Sequence, residues 1–74
     1  MGTGVRRNLE WQAVQSLRDI YRKAREAAES GQSGLVYAVE QELALYLLNN
    51  KRQRLMALEQ EFSMRIEVRP GRIL

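Results

Sequence analysis

Leu35-Val36-Tyr37-Ala38-Val39, then an unbroken run from Glu40 to Phe62, then Met64-Arg65-Ile66-Glu67-Val68-Arg69: this succession decides the fold. The first piece is a continuous apolar run with two Val and a Tyr, which predicts a strand covered on both faces. The middle piece has no Gly or Pro and is rich in Leu, Glu, Gln and Arg, which are strong helix formers. Its core stripe is Ala44, Leu48, Leu55, Leu58 and Phe62, with Leu47 beside it. The last piece alternates, Met64, Ile66 and Val68 facing one way and Arg65, Glu67 and Arg69 the other. That pattern predicts a half-exposed strand, ended by Pro70-Gly71. A strand, a long crossover helix and a second strand favour a parallel, right-handed unit.

Upstream, Asn8 is a good N-cap and Glu10 suits the positive end of a helix that runs on to Ser30. Val14, Leu17, Tyr21, Ala24 and Ala28 recur at three- and four-residue steps on one face, widened by Ala13, Ile20 and Ala27. Gly31 stands where a left-handed C-cap is expected, and Gln32-Ser33-Gly34 forms a short loop. The order α-β-α-β gives a small α+β (α/β-like) domain over residues 8–70, two long helices packed on a small parallel two-stranded sheet. Residues 1–7 precede it and residues 71–74 form a tail. A two-stranded sheet is marginal in water, so an edge extended by a partner chain or by a strand beyond Leu74 is expected.

Seventy-four residues leave room for one domain, which buries only roughly 60% of the surface its unfolded chain exposes. The chain is 45% hydrophobic and 28% charged, a globular composition. It has no Cys, hence no disulfide and no thiolate metal site, and no His, the commonest general base. Catalysis by this chain alone is not expected, and no cofactor is assigned to it. Twelve Lys and Arg against nine Asp and Glu give a net charge of +3. That excess permits an acidic partner without establishing one. No apolar run approaches the ~20 residues of a membrane span, and Met1-Gly2-Thr3-Gly4 lacks the apolar core of a signal peptide. The reading is a soluble, cytoplasmic module with no membrane partner.

Two stripes are candidate surfaces. Leu45, Asn49, Arg52 and Met56, at spacings of four, three and four, lie beside the core stripe, two apolar residues flanking two hydrogen-bonding ones. That composition suits a protein–protein contact. Trp11, Arg18, Arg22 and Arg25 share one rim of the first helix, where an aromatic face and three cations suit single-stranded RNA. Glu29 lies on the same rim with Asp19 and Glu26 adjacent, so a solvated border is the competing reading. Lys51 falls on the core stripe and is read as a snorkelling side chain paired with Glu67. Lys51, Arg52 and Arg54 fan around the helix and cannot grip one strand of nucleic acid together. Gly31-Gln32-Ser33-Gly34 fits a backbone-clamping Gly-x-x-Gly loop only in spelling, because it joins a helix to a strand. Glu40 and Glu42, like Glu59 and Glu61, point to different sides of the helix and do not make a chelating pair.

Tyr46-Leu47-Leu48-Asn49-Asn50-Lys51-Arg52, with Leu58-Glu59, Phe62 and Arg65-Ile66 through Pro70, resembles the small domain of the ribonuclease E/G family. Gly2-Thr3-Gly4-Val5-Arg6 is similar to the end of that family's zinc-link segment, so residues 1–7 read as its remnant and 71–74 as a truncated tail. The resemblance covers nearly all of the chain. It implies a fragment of a magnesium-dependent endoribonuclease of RNA processing and decay, whose catalytic carboxylates lie upstream and match no residue here. The zinc-link cysteines are missing as well, so magnesium and zinc are implied for the parent only. Partners implied are the rest of the parent and a second copy of the chain, single-stranded RNA remaining the alternative. Ser63 stands where the family usually has Gly, which puts the left-handed C-cap of the second helix in doubt. The family also continues to another strand beyond Leu74, so a sheet edge is expected to be open.

Overall fold

The computed structural model describes Asn8 to Gly71. Residues 1–7, expected to be a zinc-link remnant, and residues 72–74 of the expected tail 71–74 lie outside the described residues.

Helix α1, Leu9–Glu29, begins as its sequence demands: the Asn8 Oδ1 accepts the Trp11 backbone N–H at 2.9 Å. It ends at Gly31, whose φ of +81° lies in the left-handed region. Gln32 N–H then reaches the Ala27 carbonyl at 2.9 Å and Gly31 N–H the Ala28 carbonyl at 3.1 Å. This pair of bonds satisfies carbonyls that the end of the helix would otherwise orphan.

Strand β1, Gly34–Val39, and strand β2, Arg65–Pro70, pair in parallel, in register from Gly34 opposite Arg65 to Val39 opposite Pro70. Arg65 N–H donates to the Ser33 carbonyl and Gly71 N–H to the Val39 carbonyl, so the odd-numbered N–H groups of β2 face β1. Pro70 therefore sits where its missing N–H costs no ladder bond. Ile66 N–H faces outward and is taken up by Glu59 Oε2 at 2.8 Å.

The expectation that β1 is covered on both faces fails. Leu35, Tyr37 and Val39 turn toward the core, but Val36 is 58% exposed and Ala38 is open too. The helices cover one side of the sheet, so the apolar run has one bare face. Strand β2 alternates as expected, with Ile66 and Val68 buried and Arg65, Glu67 and Arg69 exposed.

The run from Glu40 to Phe62 is not one helix. It divides into α2, Gln41–Asn50, and α3, Arg52–Phe62, at Lys51, whose φ of −121° leaves the helical region. Lys51 N–H still bonds the Leu47 carbonyl, and its own carbonyl accepts from Leu55, so Lys51 keeps both of its backbone bonds at the bend. Asn49-Asn50 is the weak point, because Asn side chains compete with the helix ladder. The Asn50 amide does so, donating to the Tyr46 carbonyl at 3.2 Å. The bend lets α2 lie against β2 while α3 packs on α1.

The core joins Ala13, Leu17, Ile20, Ala24 and Ala27 of α1 to Leu43, Ala44, Leu47 and Leu55, and to Met64, Ile66 and Val68. Ile20 and Leu47 are its largest fully enclosed side chains. The buried face of α1 is thus centred on Ala13, Leu17, Ile20, Ala24 and Ala27, while Val14, Tyr21 and Ala28 lie at its exposed border. Leu43, absent from the periodic stripe, is buried because the bend turns α2 more fully onto the sheet.

Ser63 closes α3 in the left-handed conformation, φ 49° and ψ 49°. Met64 N–H reaches the Glu59 carbonyl at 3.0 Å, and Met64 itself is buried. The cap that glycine ordinarily makes is formed here by serine, at a cost of roughly 1–2 kcal/mol in Cβ crowding. Replacing Ser63→Gly relieves that strain but gives the unfolded chain more freedom, a net gain of about 0.5–1 kcal/mol expected in urea unfolding. An unchanged or lowered midpoint would contradict the strained cap.

Candidate functional site

The Asn8 cap fixes where α1 starts and so places Glu10 opposite the bend between α2 and α3. Glu10 Oε1 accepts the Tyr46 hydroxyl, and Oε2 accepts the Lys51 ammonium at 2.8 Å. Lys51 is thus paired with Glu10, and the expected pairing with Glu67 is corrected: Glu67 faces Arg69 at 3.4 Å. The hydrogen bond from Lys51, followed by that from Tyr46, holds the Glu10 carboxyl below the usual carboxylate range. Accepting from the Tyr46 hydroxyl also makes that hydroxyl harder to ionise, and its pKa is raised. The motif Tyr46 to Arg52 is therefore a structural junction. Tyr46 and Lys51 reach α1, Leu47 is enclosed, Leu48 is half-buried, and Asn50 bonds its own helix. Asn49 and Arg52 are left exposed.

Those two, with Leu45 at 51% and Met56 at 49% exposure, are the four residues of the expected second stripe. The spacing that joined them assumed one straight helix. Across the bend they become two i,i+4 pairs, Leu45 with Asn49 on α2 and Arg52 with Met56 on α3.

On the first-helix rim, Trp11 is 60% exposed. Arg22 donates to Asp19 Oδ1 at 2.7 Å, and Arg25 lies 3.7 Å from Glu29 Oε2. Two of the three rim cations are thus partly neutralised, while Arg18 has no carboxylate partner among the described residues. Asp19 also accepts the Tyr37 hydroxyl at 2.8 Å, tying α1 to β1. Desolvation pushes the Asp19 carboxyl up, but the hydrogen bonds from Tyr37 and Arg22, with the nearby cations, outweigh it and the net pKa is lowered. Burial, reinforced by the Asp19 carboxylate, raises that of Tyr37.

A groove of about 530 Å³ runs between α1 and α3. Val14, Leu17, Tyr21 and Leu58 contribute its apolar walls, and Arg18 and Arg54 stand at it from opposite helices. The Tyr21 ring is held edge-on against Phe62, centroids 5.3 Å apart. Sequence reasoning missed this groove. Val14, Arg18 and Tyr21 share a border at helical spacing, but the opposite wall depends on how α3 turns after Lys51. Among the described residues no group of three or more His, Cys, Asp or Glu is placed to hold a metal ion. The described residues therefore offer no ligand set to test against the magnesium or zinc that the resemblance implies for a parent. No described helix is long and apolar enough to cross a membrane.

A lowered carboxyl pKa in the folded state stabilises above the ordinary value, 4.5 for Glu10, and that contribution fades as pH falls through the lowered one. Replacing Lys51→Met is expected to move the Glu10 titration, followed by carboxyl-carbon NMR, up toward the ordinary value and to reduce the acid-side loss of stability. An unchanged Glu10 midpoint would show that Lys51 does not hold it.

The family model described as RNase E/G, Thioredoxin-like domain matches residues 1–74. No curated protein and no solved structure matches the chain significantly. These 74 residues hold no cysteine, so the thioredoxin likeness brings no dithiol chemistry with it. The matched span takes in the Tyr46–Arg52 junction, the two capped helices and both strands, and the chain belongs to the ribonuclease E/G family as its thioredoxin-like domain.

Proposed function

We propose that the chain is a non-catalytic accessory domain of a ribonuclease E/G-like endoribonuclease, following the zinc-link cysteines of a longer cytoplasmic parent. It serves RNA processing and decay by joining subunits and supporting the catalytic region, and its partners are the rest of the parent and a second copy of itself. The observation that carries this reading is the pair of half-exposed apolar side chains, Leu45 and Met56, flanking Asn49 and Arg52 across the bend.

The magnitudes set how strong that contact is. Covering the exposed half of a Leu or Met side chain contributes about 1 kcal/mol, hence about 4 kcal/mol for four such side chains across a two-fold axis. Apolar burial alone only reaches the low end of the roughly 4–15 kcal/mol that association costs in lost freedom, so the surplus must come from hydrogen bonds of Asn49 and Arg52 across the contact. The domain alone therefore self-associates weakly, and firm assembly draws on further contacts in the parent.

A second reading, a weak module for single-stranded RNA, is favoured by the exposed Trp11 and by Arg18 without a carboxylate partner among the described residues. The ion pairs of Arg22 and Arg25 count against it.

Sedimentation velocity tests the first reading: the mass is expected to rise with concentration, and Leu45→Glu to abolish the rise while leaving helical circular dichroism intact. A wild-type chain that is monomeric at every concentration would remove the association surface. RNA binding that persists at physiological salt, and falls when Arg18, Arg22 and Arg25 are replaced by Gln, would transfer the function to the rim.

A further inference from the structure

The groove between α1 and α3 plays no part in the association reading. Its apolar walls come from Val14, Leu17, Ala57 and Leu58, with the fixed ring of Tyr21 at one side, and the charged Arg18, Lys51, Arg54 and Glu61 complete the lining. Its volume of about 530 Å³ lies within the ~300–1,000 Å³ of ligand-binding clefts. Among its charged residues Lys51 is already neutralised by Glu10. Arg22, Arg25 and Arg69 elsewhere also have carboxylate partners, whereas Arg18 and Arg54 have none among the described residues. Two arginines without carboxylate partners, one on each helix, therefore stand beside an apolar cleft that is open to solvent.

We propose that this groove docks an acidic amphipathic segment of a partner protein, with a large apolar side chain entering against Tyr21 and Leu58 and flanking carboxylates meeting Arg18 and Arg54. The chemistry of the walls selects this occupant. Arginine's planar fork matches a carboxylate with two parallel hydrogen bonds. Glu61, the one carboxylate along the groove, leaves the arginines in the majority. A basic segment would meet two like charges at the rim, each juxtaposition costing binding energy. An aliphatic or aromatic side chain loses nothing against the apolar walls, and two packed helices give the kind of cleft that receives one face of a helix.

Panning a display library of random peptides against the 74-residue chain tests this directly. The expected winners carry a large apolar residue flanked by Asp or Glu. A labelled copy of the leading peptide should bind the wild type, weaken by about tenfold or more on Arg18→Glu/Arg54→Glu, and shift the amides of Val14, Tyr21 and Ala57. The milder Arg18→Gln/Arg54→Gln variant, with an unchanged unfolding midpoint, separates lost recognition from lost folding and should also weaken binding. Leu45→Glu should bind the peptide as the wild type does, so failure of the association reading and failure of this one remain distinguishable. Enrichment of basic or uncharged sequences, no enrichment, or full retention on both double variants overturns the proposal. So does an oligouridylate that shifts the same amides and is released by the charge reversal, since the groove would then belong to nucleic acid.

Discussion

A single carboxylate, that of Glu10, ties the α2–α3 junction to α1, accepting from Tyr46 on α2 and from Lys51 at the bend. It is not the main source of stability. Glu10 is well exposed, and an ion pair in that setting contributes little against the burial of Ile20 and Leu47 in the core. Its contribution is geometric. Apolar burial rewards any arrangement that covers the stripes, whereas hydrogen bonds to one carboxylate are satisfied only when α1 begins at one height beside the bend. The Asn8 cap fixes that height, and Asn50 weakens the helix where Lys51 leaves it. From this follow the placement of α2 on β2, of α3 on α1, and of the groove between α1 and α3.

The two ends of α1, the parallel pairing and the alternation of β2 were legible in the sequence, because each is set by a local rule: a capping side chain, a left-handed glycine, a crossover length, a period of two. The bend was not legible. The Asn49-Asn50 pair weakens a helix without breaking it, and the tertiary partner of Lys51 is what distinguishes a rod from two pieces. Assigning that lysine to Glu67 instead of Glu10 is the same oversight, since Glu10 lies far away in sequence and comes close only after folding. The bare face of β1 has a related cause. An apolar run reports what a strand can bury, and the number of layers around it is decided by the other elements. Ser63 shows the reverse case, where a site that favours glycine takes serine because the surrounding bonds from Met64 and to Glu59 hold it there.

For the candidate sites, the residue types were readable but their grouping was not. Leu45, Asn49, Arg52 and Met56 were found as one stripe and are two pairs on either side of a bend. Trp11 and its arginines were found as a rim, yet Arg22 and Arg25 are engaged with carboxylates while Arg18 stands at a groove shared with α3. Membership of the ribonuclease E/G family fits the proposed reading of this chain as an accessory domain. The proposed association surface and the groove involve different residues, which lets each be altered without touching the other.

The central claim is that the domain meets its own kind through the residues flanking the bend. Backbone amide shifts followed as the chain is diluted test it most directly, because they locate a weak contact residue by residue. The account predicts concentration-dependent shifts confined to Leu45, Asn49, Arg52, Met56 and their immediate neighbours. Shifts centred instead on the bare face of β1 at Val36 and Ala38, or none over the whole concentration range, would contradict it.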